Sequence, residues 1–234
     1  MLVVHNLTVN YKKQNILSQL DFSIEGGEVV GLVAPNGTGK TTFLKSLVGL
    51  LPRLSGKLMI DETIELTNQR EKYLKQIFFL ESAQNLYPDL TVMQHLEMTK
   101  ELWHSAVELS ETLRLFRIAS FQEKRVRNLS LGMKQQLLLS LYYISNAQLL
   151  FFDEPLNGLD PTNTQLFNSF IKKLAAQNKA IVMSSHNLES VAALCTRVVF
   201  LHEGKLLELT DSSESLQEKY NELFGVPGGF DCEI

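Results

Sequence analysis

Short apolar stretches with alternating or β-branched residues open the chain and predict strands. These strands are expected at residues 2–4, 7–9, 17–24 and 56–60. A turn is expected at Gly26-Gly27, and residues 29–33 form an unbroken apolar run, as in a parallel strand buried on both faces. A glycine-rich loop ends this strand, and residues 41–51 then have the pattern of a helix.

The rest of the chain changes from helical spacing to alternating helices and strands. Helical spacing is present from about residue 90 to 117, and its aromatic residues, Trp103, Phe116 and Phe121, are expected to pack in the core. The elements that follow are helix 133–145, strand 149–152, helix 162–176, strand 180–184, helix 187–194 and strand 197–202. This order predicts an α/β fold with a parallel sheet. After Asp211 the chain is polar, and a loosely held end is expected.

One stretch has nearly the length of a membrane span. Residues 135–152 carry no charge over 18 positions. Polar residues interrupt the stretch, so a buried helix, a short turn and a buried strand are the better interpretation. The first residues lack the basic region of a signal peptide. We therefore expect any membrane role to depend on a partner.

The composition is that of an ordinary globular chain. Of the 234 residues, 44% are hydrophobic and 21% are charged, which excludes a disordered chain and allows a sizeable core. The 22 basic and 26 acidic residues leave a net charge of −4, so no nucleic-acid partner is expected. Cys195 and Cys232 lie far apart without metal-ligand spacing, which argues against disulfides and zinc and favours a reducing compartment.

A phosphate loop is the most specific chemical feature of the sequence. Its residues are Ala34, Pro35, Asn36, Gly37, Thr38, Gly39, Lys40, Thr41 and Thr42. Between a strand and a helix, successive backbone N–H groups and the helix N-terminus can bind phosphate oxygens. Lys40 is expected to reach the β- and γ-phosphates, and the Thr41 hydroxyl to bind Mg²⁺. The alternative is a glycine-rich turn that only caps a helix, and the strand–loop–helix context disfavours it.

Two carboxylates follow the apolar strand at residues 149–152. Ligands gather at the carboxyl ends of strands in an open α/β sheet. Asp153 is therefore expected to hold Mg²⁺ through water, and Glu154 to orient an attacking water. The alternative is a solvated acidic turn, which the phosphate loop elsewhere in the chain makes the weaker interpretation.

A second helix N-terminus with a hydroxyl lies at Ser130, where Gly132 keeps the backbone open. It is either a plain helix cap or a second anion site. Together with the two preceding motifs, it makes the chain resemble the ABC transporter ATPase family, and in particular its stand-alone bacterial ATP-binding subunits. The resemblance spans roughly residues 2–209.

The motifs stand in the order of the family. Tyr11 lies where the family stacks an aromatic ring on adenine, and residues 34–41 resemble the Walker A loop. Residues 129–133 resemble the Leu-Ser-Gly-Gly-Gln signature, and residues 149–154 resemble Walker B. Residues 157–160, which include Asp160, resemble the D-loop, and His186 corresponds to the switch histidine.

The resemblance implies a P-loop NTPase fold with a RecA-like parallel sheet, an N-terminal antiparallel β subdomain and an inserted α-helical subdomain. A single ATPase domain, residues 1–234, would hold the helical subdomain at about 84–133 and a polar tail at about 211–234. The implied cofactors are ATP and Mg²⁺. The implied catalytic residues are Glu154, His186 and Lys40, and the implied metal-site residues are Thr41, Asp153 and Ser82.

The resemblance also implies a head-to-tail dimer that sandwiches ATP. One chain would contribute the phosphate loop, and the other Ser130, Leu131, Gly132 and Met133, with Asp160 at the interface. Both the segment 130–133 and the loop at residue 82 depart from the family pattern. Leu131 replaces a glycine and Met133 a glutamine, while Ser82 stands at a metal-sensing glutamine, for which Gln84 could substitute only if the loop shifts. Ala34 likewise replaces the first glycine of Walker A.

The function implied is that of a transporter motor. The chain would be cytoplasmic and bound to the inner face of the membrane through separate transmembrane subunits, which the family docks at residues 79–96. By analogy with stand-alone subunits, the transporter would export drugs or peptides. The alternatives are a non-transport ATP switch and a weakly hydrolysing subunit of a heterodimeric transporter, the latter suggested by Ala34, Ser82 and Leu131.

Overall fold

The computed structural model describes residues 1–11, 14–51, 54–157, 159, 161–209 and 215–225. Within these ranges the chain forms two β-sheets and eight α-helices. The strands are β1 (Leu2–Tyr11), β2 (Gln14–Ile24), β3 (Val29–Val33), β4 (Leu54–Ile60), β5 (Ile64–Glu65), β6 (Ile77–Phe79), β7 (Leu149–Phe152), β8 (Ala180–Ser185), β9 (Arg197–His202) and β10 (Lys205–Glu208). The helices are α1 (Lys40–Leu47), α2 (Arg70–Lys75), α3 (Val92–Trp103), α4 (Leu109–Leu115), α5 (Leu131–Ser145), α6 (Pro161–Ala176), α7 (Leu188–Leu194) and α8 (Leu216–Phe224).

The smaller sheet is antiparallel, with the strand order β2-β1-β4-β5. The two apolar stretches predicted at 2–4 and 7–9 belong to one strand, β1. Its pairing with both neighbours shifts around Asn6, whose φ is +53°. Such a bulge adds one residue to the strand, so the apolar positions before and after it face the same side. The positions are Leu2, Val4, Leu7 and Val9, and all four are buried.

The larger sheet has the order β10-β9-β3-β8-β7-β6. All neighbouring pairs are parallel except β10 with β9. Every residue of β3, β7 and β8 is buried, as their unbroken apolar sequences predict. The α/β class with a parallel sheet and a separate N-terminal antiparallel sheet is therefore confirmed.

The order of the central strands places three chain segments together. The carboxyl ends of β3, β8 and β7 lie side by side, with β8 in the middle. The phosphate loop follows β3, Asp153 follows β7, and His186 follows β8. Residues far apart in the sequence thus meet at one edge of the sheet.

The helical segment lies between β6 and β7. Helices α3 and α4 form within the region predicted from its helical spacing, and residues 104–108 separate them. Phe116 and Phe121 are buried, and the Trp103 indole N–H donates to the carbonyl of Ile77, so these three aromatic residues pack as predicted. The bounds of a helical subdomain at about 84–133 stay a prediction.

Several short elements were not foreseen. Helix α1 ends at Leu47 rather than residue 51, because Gly49 adopts a φ of +62° and turns the chain. Strands β5, β6 and β10 and helix α2 have two to six residues each, too few for a periodic pattern.

The polar end of the chain also contains structure. Helix α8 begins at a capping box in which Ser215 and Glu218 bond each other's backbone N–H groups. Its apolar residues, among them Leu216 and Tyr220, pack on a cluster that contains Val33, Val191 and Phe200. The expectation of a loosely held end was therefore wrong for residues 216–224, although Leu216, Tyr220, Leu223 and Phe224 have the spacing of an amphipathic helix.

The uncharged stretch at 135–152 is divided as predicted. Helix α5 ends at Ser145, and β7 begins at Leu149. Among the described residues, no helix has both the length and the apolar character needed to cross a membrane.

Candidate active site

The phosphate loop connects the buried end of β3 with the first turn of α1. Gly37 and Gly39 adopt φ values of +83° and +110°, a left-handed region that residues with a Cβ enter only at a cost. A Cβ on Gly39 would lie 2.8 Å from Cγ2 of Ile16, whereas a Cβ on Gly37 would meet no atom within 4 Å. The backbone therefore has the glycine-dependent curvature that a phosphate cradle requires.

The Lys40 side chain is buried and binds the backbone of this loop. Its ammonium donates to the carbonyls of Ala34 and Pro35, at 2.7 and 3.1 Å. The same nitrogen lies 3.1 Å from Oε1 of Glu154. Lys40 is only 6% exposed, so the charge is balanced by these oxygens rather than by bulk water.

Asp153 is held on both of its oxygens. Thr41 donates to Oδ2 at 2.6 Å, and Ser184 donates to Oδ1 at 2.6 Å. These short bonds are typical of hydroxyl donors to an ionised carboxylate. They fix the rotamer of Asp153 between α1 and β8.

Glu154 is held by its side chain and by its backbone. Nδ1 of His186 lies 2.9 Å from Oε2 of Glu154, and because an ionised carboxylate can only accept, Nδ1 carries the proton. The backbone N–H of Glu154 donates to the Ser184 hydroxyl at 2.8 Å. The φ of Glu154 is +46°, an uncommon conformation for a residue with a Cβ.

A cleft of about 230 Å³ runs along these groups. Its lining residues are Ile16, Asn36, Gly37, Gly39, Lys40, Thr41, Thr42 and Glu154. It thus joins the backbone of the phosphate loop, a buried cation and a carboxylate. Backbone N–H groups, a lysine and a helix N-terminus are donors that suit the phosphates of a nucleotide. The hydroxyl of Thr41 and the carboxylate of Asp153 are oxygen ligands of the kind that Mg²⁺ prefers.

Ser82 follows β6 at the same edge of the sheet. Its hydroxyl donates to Oδ1 of Asn85 and accepts from the backbone N–H of Gln84, so it caps its own turn. Glu81 beside it forms an ion pair of 2.7 Å with Lys45, which places the segment against α1. Among the described residues, Ser82 has no hydrogen bond to Thr41 or Asp153.

The turn that begins α5 stands apart from the phosphate loop. The Ser130 hydroxyl accepts from the backbone N–H of Met133 at 3.3 Å and caps the helix. Leu131 is 67% exposed, and a Cβ on Gly132 would meet no atom within 4 Å. In the described part of the chain, no hydrogen bond or ion pair joins residues 130–133 to residues 34–42.

The side chains of two further predicted residues lie outside the part of the chain that the structure describes. Tyr11 ends β1, but its side chain lies outside the described residues. Asp160 also lies outside them.

Sequence reasoning missed two contacts in this site. Ser184 joins Asp153 to the backbone of Glu154, and the only signal was a hydroxyl at the end of an apolar strand. Gln135 of α5 donates from Nε2 to the carbonyl of Pro155 at 3.3 Å and so connects the first turns of α5 with the acidic turn after β7.

Comparison with known proteins decides the family. Residues 17–157 match the family model described as ABC transporter. The chain belongs to the ABC transporter family.

Similarity to individual members extends over nearly the whole chain. The lantibiotic transport ATP-binding protein SrtF of Streptococcus pyogenes is 32% identical over 94% of this chain and 96% of its own length. The bacitracin transport ATP-binding protein BcrA of Bacillus licheniformis is 32% identical over 87% of this chain and 67% of its own length.

Solved structures of ABC proteins share the fold. An ATP-binding subunit of an ABC transporter superimposes with a TM-score of 0.85 and 28% identity, covering 95% of this chain and 99% of that one. A bacterial Atm1-family ABC exporter with ATP bound superimposes with a TM-score of 0.76 and 21% identity over 88% of this chain and 38% of its own, which shows the fold alone. The predicted P-loop NTPase fold is thus confirmed, and this ABC chain is an ATP-binding subunit with ATPase activity.

Proposed function

We propose that this ABC subunit hydrolyses ATP with Mg²⁺ to drive export of drugs or peptides through separate transmembrane subunits. Similarity to SrtF and BcrA, which are named for lantibiotic and bacitracin transport, supports this class of cargo. The observation that carries the proposal is the pairing of Glu154 with both Lys40 and His186, beside Asp153 held by Thr41.

Each of these residues has a distinct task in the proposal. Lys40 binds the terminal phosphates, and the backbone of Pro35, Asn36, Thr38 and Thr42, together with the glycines, surrounds them. Glu154 accepts a hydrogen bond from the attacking water and orients it, and His186 keeps that carboxylate in place. Lys40 occupies the space between Glu154 and the loop carbonyls, so nucleotide binding exchanges these partners for phosphate oxygens.

Thr41 and Asp153 are proposed to hold Mg²⁺. When bound, the metal neutralises developing charge on the phosphates. Asp153 already points both oxygens at hydroxyl donors, which orients the carboxylate before the metal arrives. Ser82 belongs to the proposed metal site only if its turn opens, because its hydroxyl serves as a cap.

The proposed working form is a head-to-tail dimer that closes on ATP. The exposed helix N-terminus at Ser130–Gly132 has no hydrogen bond to its own phosphate loop among the described residues, which suits a role toward the nucleotide of a second copy. Leu131, Met133 and Asp160 are proposed to lie at this interface. Tyr11 is proposed to stack on adenine.

The proposed location is the cytoplasm, at the inner face of the membrane and held there by the transmembrane partner. Residues 79–96 are the proposed docking segment. They include exposed Tyr87, while β6 and α3 at either end are anchored in the core.

A weakly hydrolysing subunit of a heterodimer is the second candidate. Two observations favour it: the Ser82 hydroxyl is engaged in its own turn, and the exposed Leu131 brings an apolar side chain to the proposed anion site.

The deciding experiment measures solution mass and bound nucleotide for a Glu154→Gln variant. Without its base, the variant should trap ATP and shift from monomer to dimer in ATP with Mg²⁺ but not in ATP with EDTA. Glu203→Gln, which removes an exposed carboxylate after β9, is the matched control and should turn over ATP like the unaltered protein. If the variant binds ATP but stays a monomer, and the unaltered protein does not turn over ATP, the heterodimer is favoured. If the chain binds no ATP, the proposed role of Lys40 is refuted.

A further inference from the structure

Ser184 occupies the centre of the site at the end of β8, where two serines follow four apolar residues. It is fully buried at the carboxyl end of β8. Its hydroxyl donates to Oδ1 of Asp153 at 2.6 Å and accepts from the backbone N–H of Glu154 at 2.8 Å. One side chain therefore binds two consecutive residues, one through its carboxylate and one through its backbone.

The sheet order explains how β8 provides this contact. Strand β8 lies between β3, which leads to the phosphate loop, and β7, which leads to Asp153. A side chain at the end of β8 is thus within reach of the turn after β7. The next residues of the same segment bring His186 to Glu154.

The backbone of Glu154 needs such a restraint. Its φ of +46° lies in the left-handed region, which is strained for a residue with a Cβ. The hydrogen bond from its N–H to Ser184 stabilises this conformation, since otherwise a partly buried N–H would lack a partner. The direction of the Glu154 side chain depends on this backbone conformation.

We propose that Ser184 is a positioning residue for ATP hydrolysis, which aligns the Mg²⁺-binding carboxylate of Asp153 with the water-orienting carboxylate of Glu154. The inference rests on the proposed roles of these two carboxylates. Ser184 acts through them, so its loss should lower turnover much more than it changes the affinity for ATP.

The test compares Ser184→Thr with Ser184→Val. Threonine and valine have the same shape, so any crowding by the added methyl is common to both, and only threonine keeps a hydroxyl. We expect kcat of the valine variant to be about tenfold or more below that of the threonine variant, the size expected for one hydrogen bond to a charged group. The KM for ATP should agree within about threefold, because ground-state binding is unchanged.

Ser140→Ala is the matched control for a buried hydroxyl. Ser140 is also fully buried, and its hydroxyl donates only to the carbonyl of Leu137 within α5. This variant should keep kcat, with all variants compared at a temperature at which they are folded. Amide hydrogen exchange by NMR adds a readout that does not need turnover: exchange at Glu154 should be about tenfold faster in Ser184→Val than in Ser184→Thr.

The outcomes separate this inference from the proposed function. If the unaltered protein hydrolyses ATP, Glu154→Gln does not, and the threonine and valine variants have equal kcat, the role of Ser184 is refuted alone. An equal loss of kcat in Ser140→Ala, or a KM that rises as much as kcat falls, would also refute it. If the unaltered protein has no turnover, or Glu154→Gln keeps full turnover, the proposed hydrolytic function fails and the inference fails with it.

Discussion

At the scale of single residues, the shape of the phosphate loop depends on two glycines that differ in their surroundings. Both have positive φ, but only at Gly39 would a Cβ crowd another side chain, that of Ile16 at 2.8 Å. Ile16 also lines the cleft with the loop. The free-energy cost of a strained backbone and the cost of a steric clash can therefore be measured separately, by substituting alanine at each glycine.

We predict that Gly37→Ala and Gly39→Ala destabilise the protein by different amounts. Gly37→Ala should cost about 1–2 kcal/mol of the free energy of unfolding, from backbone strain alone. Gly39→Ala should cost about 1–3 kcal/mol more, because its Cβ would lie 2.8 Å from Ile16. Urea denaturation of both variants measures the difference.

Repeating both substitutions in an Ile16→Ala variant tests whether Ile16 causes the additional cost at Gly39. A double-mutant cycle should show that Ile16→Ala removes the additional cost at Gly39 and leaves the cost at Gly37 unchanged. Equal costs for both glycine substitutions would contradict the steric explanation.

At the scale of elements, buried polar side chains connect helices to the strands of the site. The Tyr142 hydroxyl of α5 donates to the carbonyl of Phe151 and accepts from the backbone N–H of Leu80. Burial raises the pKa of this phenol, which keeps it protonated as a donor. Helix α5, which Ser130 caps, is thereby attached to the segments that lead to Ser82 and Asp153.

A histidine has a similar role at the start of α3. His95 is 1% exposed, with Nδ1 next to the carbonyl of Thr91 and Nε2 accepting from the backbone N–H of Tyr87. Because Nε2 accepts, the proton is on Nδ1, and a second proton would break the bond to Tyr87. Burial lowers the pKa of His95 below its ordinary value.

We predict that His95 makes the protein less stable in mild acid. The unfolded chain takes up the proton near pH 6.5 and the folded chain only at lower pH, so stability falls as pH drops below about 6.5, by up to about 1.4 kcal/mol per pH unit. The free energy of unfolding of the unaltered protein minus that of His95→Gln, measured by urea denaturation, should be constant above that pH and decrease from pH 6.5 to 5.5. A difference that stays constant down to pH 5.5 would contradict this account.

At the scale of the whole molecule, ligand binding should be coupled to stability through Thr41 and Asp153. A ligand that binds only the folded chain stabilises it by about 2.7 kcal/mol at one hundred times its dissociation constant. We predict that ATP raises the free energy of unfolding more with Mg²⁺ than with EDTA, and that Thr41→Val removes most of this metal-dependent gain. Thermal unfolding in both buffers measures it.

Thr41→Ser is the matched control, since it keeps the hydroxyl that bonds Asp153. It should retain the metal-dependent gain. The same gain in Thr41→Val as in Thr41→Ser would show that this hydroxyl has no part in holding the metal.

Local patterns in the sequence were sufficient to locate the charged groups of this site. Lys40 lies in a glycine-rich loop, and Asp153 and Glu154 end an apolar run, so each stood out within its own segment. Ser184 did not, because a hydroxyl at a strand end has many structural uses, and its partners depend on which strands are neighbours. That order is set by packing of the whole sheet and is absent from any one segment.

The same distinction, between what one segment shows and what it does not, applies to the elements of the fold. Helix α6 was predicted because many residues share its period, and α5 because it lies in a long uncharged run. Strands β6 and β10 were missed because they have only three and four residues and show no period. The single strand β1 was predicted as two, because the extra residue at Asn6 changes the phase of the pattern.

The position of β8 between β3 and β7 has a consequence during protein synthesis. Strands β3 and β7 leave the ribosome before β8, yet they do not pair with each other and need β8 between them. A nascent chain that ends after α6 contains Lys40, Asp153 and Glu154 but lacks the strand that brings them together. The proposed catalytic groups therefore assemble late in translation, and a ribosome-bound chain of that length should not consume ATP.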